Sequence, residues 1–213
     1  MPGKFHHEHL YRGTAVAEKL RSSRITLCGA GALGSNLAEN LARQGAGCLR
    51  AIDHDRVEEH NIGTQVYGEG DVGRFKVEAL GRHLFRVCGI EPDGQRKQLS
   101  AANAPSLLKG SDLIVDCFDN STGRSLVQMH ARQSATATLH VGLFEGYAEV
   151  IWDERYRVPA EVGGDVCDYA LARNLVLLVV AVASETILGW LATGERRDWS
   201  ITLKDLAVRP MDK

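Results

Sequence analysis

Ile25-Thr26-Leu27-Cys28-Gly29-Ala30-Gly31-Ala32-Leu33-Gly34-Ser35 is the stretch from which the rest of the chain can be read. A short apolar run meets glycines at 29, 31 and 34, and apolar residues Leu37, Ala38 and Leu41 then recur at helical spacing toward Gln44. The pattern predicts a strand, a tight turn and a helix. In such a turn one glycine permits the sharp bend, one lets the backbone approach a phosphate, and one lets the helix pack closely on the strand. Free N–H groups at the helix start attract an anion. A phosphate-bearing nucleotide is the expected ligand, with a merely structural turn as the alternative.

Residues 48–52 predict a second strand that stops at Asp53. There a carboxylate can accept ribose hydroxyls, or simply cap a turn. Residues 54–73 are polar and aperiodic, a loop long enough to carry function. A helix is expected over 74–87, and Pro92 with Gly94 breaks the chain before a weak strand near 96–99. Asp112-Leu-Ile-Val-Asp116-Cys117 reads as the clearest buried strand, followed by a helix over 121–133 and strands over 138–143 and 148–152. A long apolar helix over 169–192 and one or two strands within 199–208 complete the chain.

Early alternation of strand and helix implies an α/β fold: a Rossmann-like, doubly wound sheet, mostly parallel, with antiparallel strands toward the C-terminus. In the usual 3-2-1-4 order, Asp116 and Asp119 flank the glycine loop on the side opposite Asp53, which suggests a Mg²⁺ site. The alternative for Asp119 is an Asx turn with Asn120, or a cap on the following helix.

With 213 residues the chain suits one buried core and is too short for two full enzyme domains. One domain is expected over 1–213: an N-terminal segment (1–23), a nucleotide-binding core (24–152), a crossover loop (153–170) and a C-terminal helix and strand (171–213). A charged content of 24% and a net charge of -2 give no general pull toward nucleic acid. Neither a secretory signal nor a membrane anchor is readable in 1–10, so a cytoplasmic address is expected. The apolar run 175–183, interrupted by Ser184-Glu185-Thr186, reads as a buried helix and not a membrane span. Five cysteines without a C-x-x-C pair argue against a disulfide framework and a structural zinc site.

Taken in order, Gly29-Ala-Gly-Ala-Leu-Gly34-Ser, Asp53-His-Asp55, Glu59-His-Asn61, Gln65, Gly73-Arg-Phe-Lys76-Val-Glu and Asp116-Cys-Phe-Asp119-Asn120 resemble the ThiF/MoeB-like branch of the ubiquitin-activating-enzyme (E1-like) superfamily. The resemblance covers about 24–192. It implies ATP-dependent adenylation of a carboxylate, the C-terminus of a ubiquitin-like or sulfur-carrier protein, with ATP and Mg²⁺ as cofactors. It also implies that Gly29, Gly31, Gly34, Asp53, Asp55, Asn61 and Gln65 bind nucleotide, that Asp53 holds the ribose, that Lys76 meets the phosphates and that Asp119 serves Mg²⁺. Arg12 resembles the N-terminal arginine that the family sends into the neighbouring subunit, which implies a homodimer. Cys167 resembles a reactive cysteine placed before a helix, which implies an acyl acceptor; a plain helix-start cysteine is the alternative. A helix N-terminus would lower its pKa, and Asp165 and Asp168 would oppose that.

Two departures stand out. Where the family reads Asn-x-x-Arg-Gln this chain reads Asn61-Ile-Gly-Thr64-Gln65, so one phosphate contact is missing, and Arg56 and Arg74 are the nearby replacements. The two zinc-binding C-x-x-C pairs of many relatives are absent, so no structural zinc is expected. Competing readings are a nicotinamide dehydrogenase, a non-catalytic E1-like nucleotide- or partner-binding protein, and adenylation of a small-molecule or RNA-borne carboxylate.

Overall fold

A computed structural model of the chain describes residues 2–159 and 170–211. Two short helices, α1 (His6–Arg12) and α2 (Thr14–Ser22), precede β1 (Arg24–Cys28), α3 (Ala32–Gln44) and β2 (Cys48–Ile52). Then come α4 (Lys76–Cys88), β3 (Asp93–Gln95), a single turn α5 (Ala104–Leu107), β4 (Leu113–Asp116) and α6 (Ser121–Ser134). The chain ends with β5 (Ala137–Phe144), β6 (Tyr147–Trp152), α7 (Arg173–Thr193), β7 (Trp199–Thr202) and β8 (Ala207–Pro210).

The strands form one sheet in the order β3-β2-β1-β4-β5-β6-β7-β8. Pairing is parallel from β3 to β5 and antiparallel from β5 to β8, as the alternation of elements predicted. Parallel strands are covered on both faces, so they read as continuous apolar runs instead of alternating ones. β4 shows this: Leu113 and Val115 belong to the large core under α3, α4 and α7, while Ile114 joins a smaller cluster with Leu107, Leu108 and Val127.

Three expectations need correction. The third strand lies at 93–95, not 96–99, and includes the expected breaker Gly94. β3 is an edge strand on which α4 lies close, with Val77 3.4 Å from where a Gly94 Cβ would stand, so glycine fits there. Arg50 pins it with a 2.7 Å bond to Asp93.

The last helix begins at Arg173, four residues beyond the expected start, and Ser184-Glu185-Thr186 does not interrupt it. Ser184 accepts from Asn40 and donates to Gln44, both on α3, and Thr186 bonds back to the Val182 carbonyl, so both hydroxyls are satisfied without breaking the helix. The resulting 21-residue helix contains an 18-residue window of mean hydropathy 2.2 and is long and apolar enough to cross a membrane by composition. It packs against α3, α2 and β6 as the buried-helix reading expected. Finally, α1 and α2 were not foreseen within 1–23; together they bury only Leu20, too little to leave a periodic trace.

Candidate nucleotide site

At the carboxyl edge of β1, β2 and β4 lies a cleft of about 260 Å³ whose walls include Gly29, Gly31, Asp53, Asp55, Lys76, Phe118 and Asp119. The three glycines of the loop are there for different reasons. Gly29 has φ +100°, and a Cβ on it would stand 3.1 Å from the Cys117 carbonyl oxygen. A Cβ on Gly34 would stand 1.9 Å from the Gly29 carbonyl oxygen, so α3 can approach the loop only without a side chain there. A Cβ on Gly31 would meet none of the described residues within 4 Å. The fold imposes glycine at 29 and 34, whereas at 31 it leaves open cleft space. Gly31 is also the N-cap of α3 and supplies no side-chain cap, so the first-turn N–H groups of that helix stand available to an anion.

Asp53 is almost fully buried. Its Oδ2 accepts the Ala30 N–H at 2.7 Å and its Oδ1 accepts the Asp55 N–H at 2.8 Å, so it ties the glycine loop to the end of β2. Burial pushes its carboxyl above the usual range, against the pull of Lys76 and the two N–H groups. The turn-holding and ribose-binding readings coexist, because a carboxylate has lone pairs beyond these two bonds. Lys76 opens α4 and is buried, with Nζ 3.0 Å from Asp55 Oδ2. One cation and two carboxylates thus share the floor of the cleft.

The alternatives for Asp119 are separated by the cap of α6. Asn120 is the N-cap, its side chain accepting the Gly123 N–H at 2.7 Å. Asp119 is exposed on the opposite wall, where it accepts from Asn120 Nδ2 at 3.2 Å. Asp53, His54 and Asp55 bring ligand atoms within 4.8 Å of one another, and with Asp119 facing them the donors are mainly carboxylate oxygens, the set Mg²⁺ prefers.

Other predicted residues lie elsewhere. Asp116 ends β4 beside Cys28, next to the glycine loop, but its side chain does not line the cleft. It is wholly buried and turned to His140, on the face of β4 that it shares with Ile114 and that α6 covers. Asn61 and Gln65 are buried outside the cleft lining: Asn61 Oδ1 accepts the Glu58 N–H and closes a 3₁₀ turn. Neither suggested replacement for the missing arginine reaches the cleft. Arg56 donates to the Gly73 carbonyl and lies over the Phe75 ring at 3.7 Å, and Arg74 donates to the Gly70 carbonyl. Arg12 is outside its own cleft, with a guanidinium nitrogen 2.7 Å from Glu185 on α7 and a second bond to Glu8.

Cys167 lies outside the described residues. The long helix expected to start at Tyr169 starts at Arg173, six residues along the chain from position 167. Burial raises the Cys28 and Cys117 thiols far above their usual range, in keeping with core roles. The sequence reading missed Phe118, Gln98 and Leu99 as cleft walls. Their common signal is position just beyond a parallel strand, the edge at which such sheets bind ligands.

A family model described as the ThiF family matches residues 8–169. The sulfur carrier protein ThiS adenylyltransferase of Bacillus subtilis is 30% identical over 92% of this chain and 62% of its own length. The probable adenylyltransferase/sulfurtransferase MoeZ of Mycobacterium tuberculosis is 33% identical over 67% of this chain and 37% of its own. The adenylyltransferase and sulfurtransferase uba4 of Neosartorya fischeri is 38% identical over 51% and 21%. The chain therefore spans less than two thirds of the length of each of these relatives. Among solved structures, E. coli MccB with ATP superposes with a TM-score of 0.82 at 17% identity, covering 99% of this chain and 71% of that one. PaaA superposes at 0.76 and 20% identity, covering 98% and 68%. At these identities the likeness shows the fold.

Proposed function

This chain belongs to the ThiF family, and from that premise we propose that it uses ATP to adenylate a carboxylate, the C-terminal one of a ubiquitin-like or sulfur-carrier protein. The observation that carries the reading is one cleft holding an uncapped helix N-terminus, a buried lysine and carboxylates on facing walls. The named activities of the relatives agree with it.

The chemistry asks little of the protein beyond placement and positive charge. A C-terminal carboxylate is an anion at neutral pH, so its oxygen attacks the α-phosphorus without a general base. The bond from that phosphorus to the bridging oxygen breaks, pyrophosphate leaves with the electron pair, and an acyl adenylate remains. The N–H groups of α3 and the Lys76 ammonium stabilise the departing charge, and Asp53 orients the ribose. For Lys76 this means exchanging part of its bond to Asp55 for a phosphate oxygen. Asp119, with help from the 53–55 carboxylates, would hold Mg²⁺, which when bound would supply the remaining charge neutralisation. Cys167 is the acyl acceptor in this reading, and in a homodimer Arg12 serves the neighbouring cleft.

Thr64, with Arg56 and Arg74 both engaged away from the cleft, favours a second reading in which nucleotide binds without turnover. ATP–pyrophosphate exchange with a carrier ending in Gly-Gly separates the two. Exchange that falls at least about 100-fold in Asp119→Ala is expected; unchanged exchange in that variant sinks the assignment, and ATP binding with no exchange in the native protein selects the second reading.

A further inference from the structure

We propose that His140 is a positioning residue for this cleft: an imidazolium held between Asp116 and Asp153, it fixes the loop that presents Phe118 and Asp119. The proposal rests on the reading of the cleft as a nucleotide site, while its geometry stands apart from any reaction.

His140 on β5 is directly opposite Asp116 in the parallel register of β4 and β5, and neither is exposed. Its Nδ1 is 2.8 Å from Asp116 Oδ2 and its Nε2 is 3.1 Å from Asp153 Oδ1. A neutral imidazole has one N–H and one lone pair, so it would aim that lone pair at one of the two carboxylates. Only the doubly protonated ring donates to both. The Tyr156 ring lies parallel on it, centroids 3.7 Å apart, and holds its plane.

The groups around the ring come from four elements. Asp116 ends β4; Asp153 and Tyr156 follow β6; Glu149 lies on β6; Arg124 and Arg132 lie on α6. Arg124 stands 4.0 Å from Asp116 Oδ2 and donates to the Tyr156 hydroxyl at 2.9 Å, and Arg132 stands 3.7 Å from Asp153 Oδ2. Burial disfavours the charged ring, yet the bonds to Asp116 and Asp153 outweigh it and hold the His140 pKa above the ordinary histidine value.

The link to the cleft is the other oxygen of Asp116, whose Oδ1 accepts the Phe118 N–H at 3.1 Å. Phe118 in turn lies against Gly29 and Gly123, so the turn that begins there sets one cleft wall and the place of Asp119 next to it. A buried ion network of this kind is poor evidence for added stability, since apolar side chains fill such space as well. What it supplies is one orientation of Asp116 and hence one conformation of the loop. The linkage has a definite sign. The folded state holds the ring proton more tightly than the unfolded chain, so the contribution is complete below about pH 6.5 and is lost as pH rises through the folded pKa.

The test uses nitrogen-15 NMR of the whole protein without nucleotide, so it does not depend on turnover. At about pH 6.5, where an ordinary imidazole is half neutral, the doubly protonated ring of His140 is expected to predominate, and on raising the pH the Phe118 amide shift should follow the ring with the same midpoint. A neutral His140 ring at that pH, or a Phe118 amide indifferent to its titration, overturns the proposal. In His140→Gln, one donor is lost; Phe118 amide exchange should quicken at least about tenfold while β1 amides keep their protection. ATP affinity in that variant should be weaker near pH 6.5 and lose its decline toward alkaline pH. If His140→Gln does not fold, the native titration decides alone.

Discussion

The loops β1–α3 and β4–α6 leave the sheet at the same edge, one strand apart, and treat their helix N-termini in opposite ways. α3 starts on Gly31 with no side-chain cap, whereas α6 starts on Asn120, whose side chain takes the Gly123 N–H. An uncapped N-terminus offers donors and partial positive charge to a ligand; a capped one has already spent them on its own chain. The second loop contributes the opposite charge instead, through Asp119. The cleft therefore has one wall that receives phosphate and one that offers a carboxylate to a cation, and this polarity follows from a glycine in one place and an asparagine in the other.

The comparison breaks most completely at Gly34. In Gly34→Val the added Cβ meets the Gly29 carbonyl, and a loss of at least about 3 kcal/mol in urea unfolding is expected, with the loop displaced. Gly31→Val should sharpen it: the side chain enters open space, so unfolding changes by no more than about 1 kcal/mol, while ATP affinity measured by calorimetry drops at least about tenfold. Equal losses of stability at 31 and 34 would erase the distinction between a glycine the fold demands and one the ligand demands. The smallest effect belongs to the capped side. Asn120→Ala should cost about 1 kcal/mol, seen as a fall of about 2–4 °C in the melting temperature, without removing ATP binding.

Much of this arrangement was legible in the sequence, because it rests on local signals. The glycine spacing, the strand that ends at Asp53 and the buried run before Asp119 each act within a few residues of themselves. Asp116 was misread for the converse reason. Its partner is chosen by the register of β4 against β5, which pairs it with His140, and no signal near position 116 encodes that pairing. Arg12 is a similar case: Glu185, 173 residues away, holds its guanidinium. The last helix started late because its apolar periodicity is weak all round, so only the backbone reveals where it begins. Cap identity fell between these cases, since Asp119 and Asn120 are equally good capping residues and geometry alone chose the second.

The two walls of the cleft belong to strands that meet late along the chain. Arg24 and Asp112, which bond across the start of the β1–β4 pair, are 88 residues apart in sequence. Such high-contact-order pairings are slow to close, since loop entropy opposes them before any contact rewards them. A nucleotide can thus recognise the chain only once these distant strands have found each other. Saturation with ATP at about 100 times the dissociation constant would raise the unfolding free energy by about 2.7 kcal/mol. Ligand occupancy then doubles as a readout of assembly of the parallel half of the sheet.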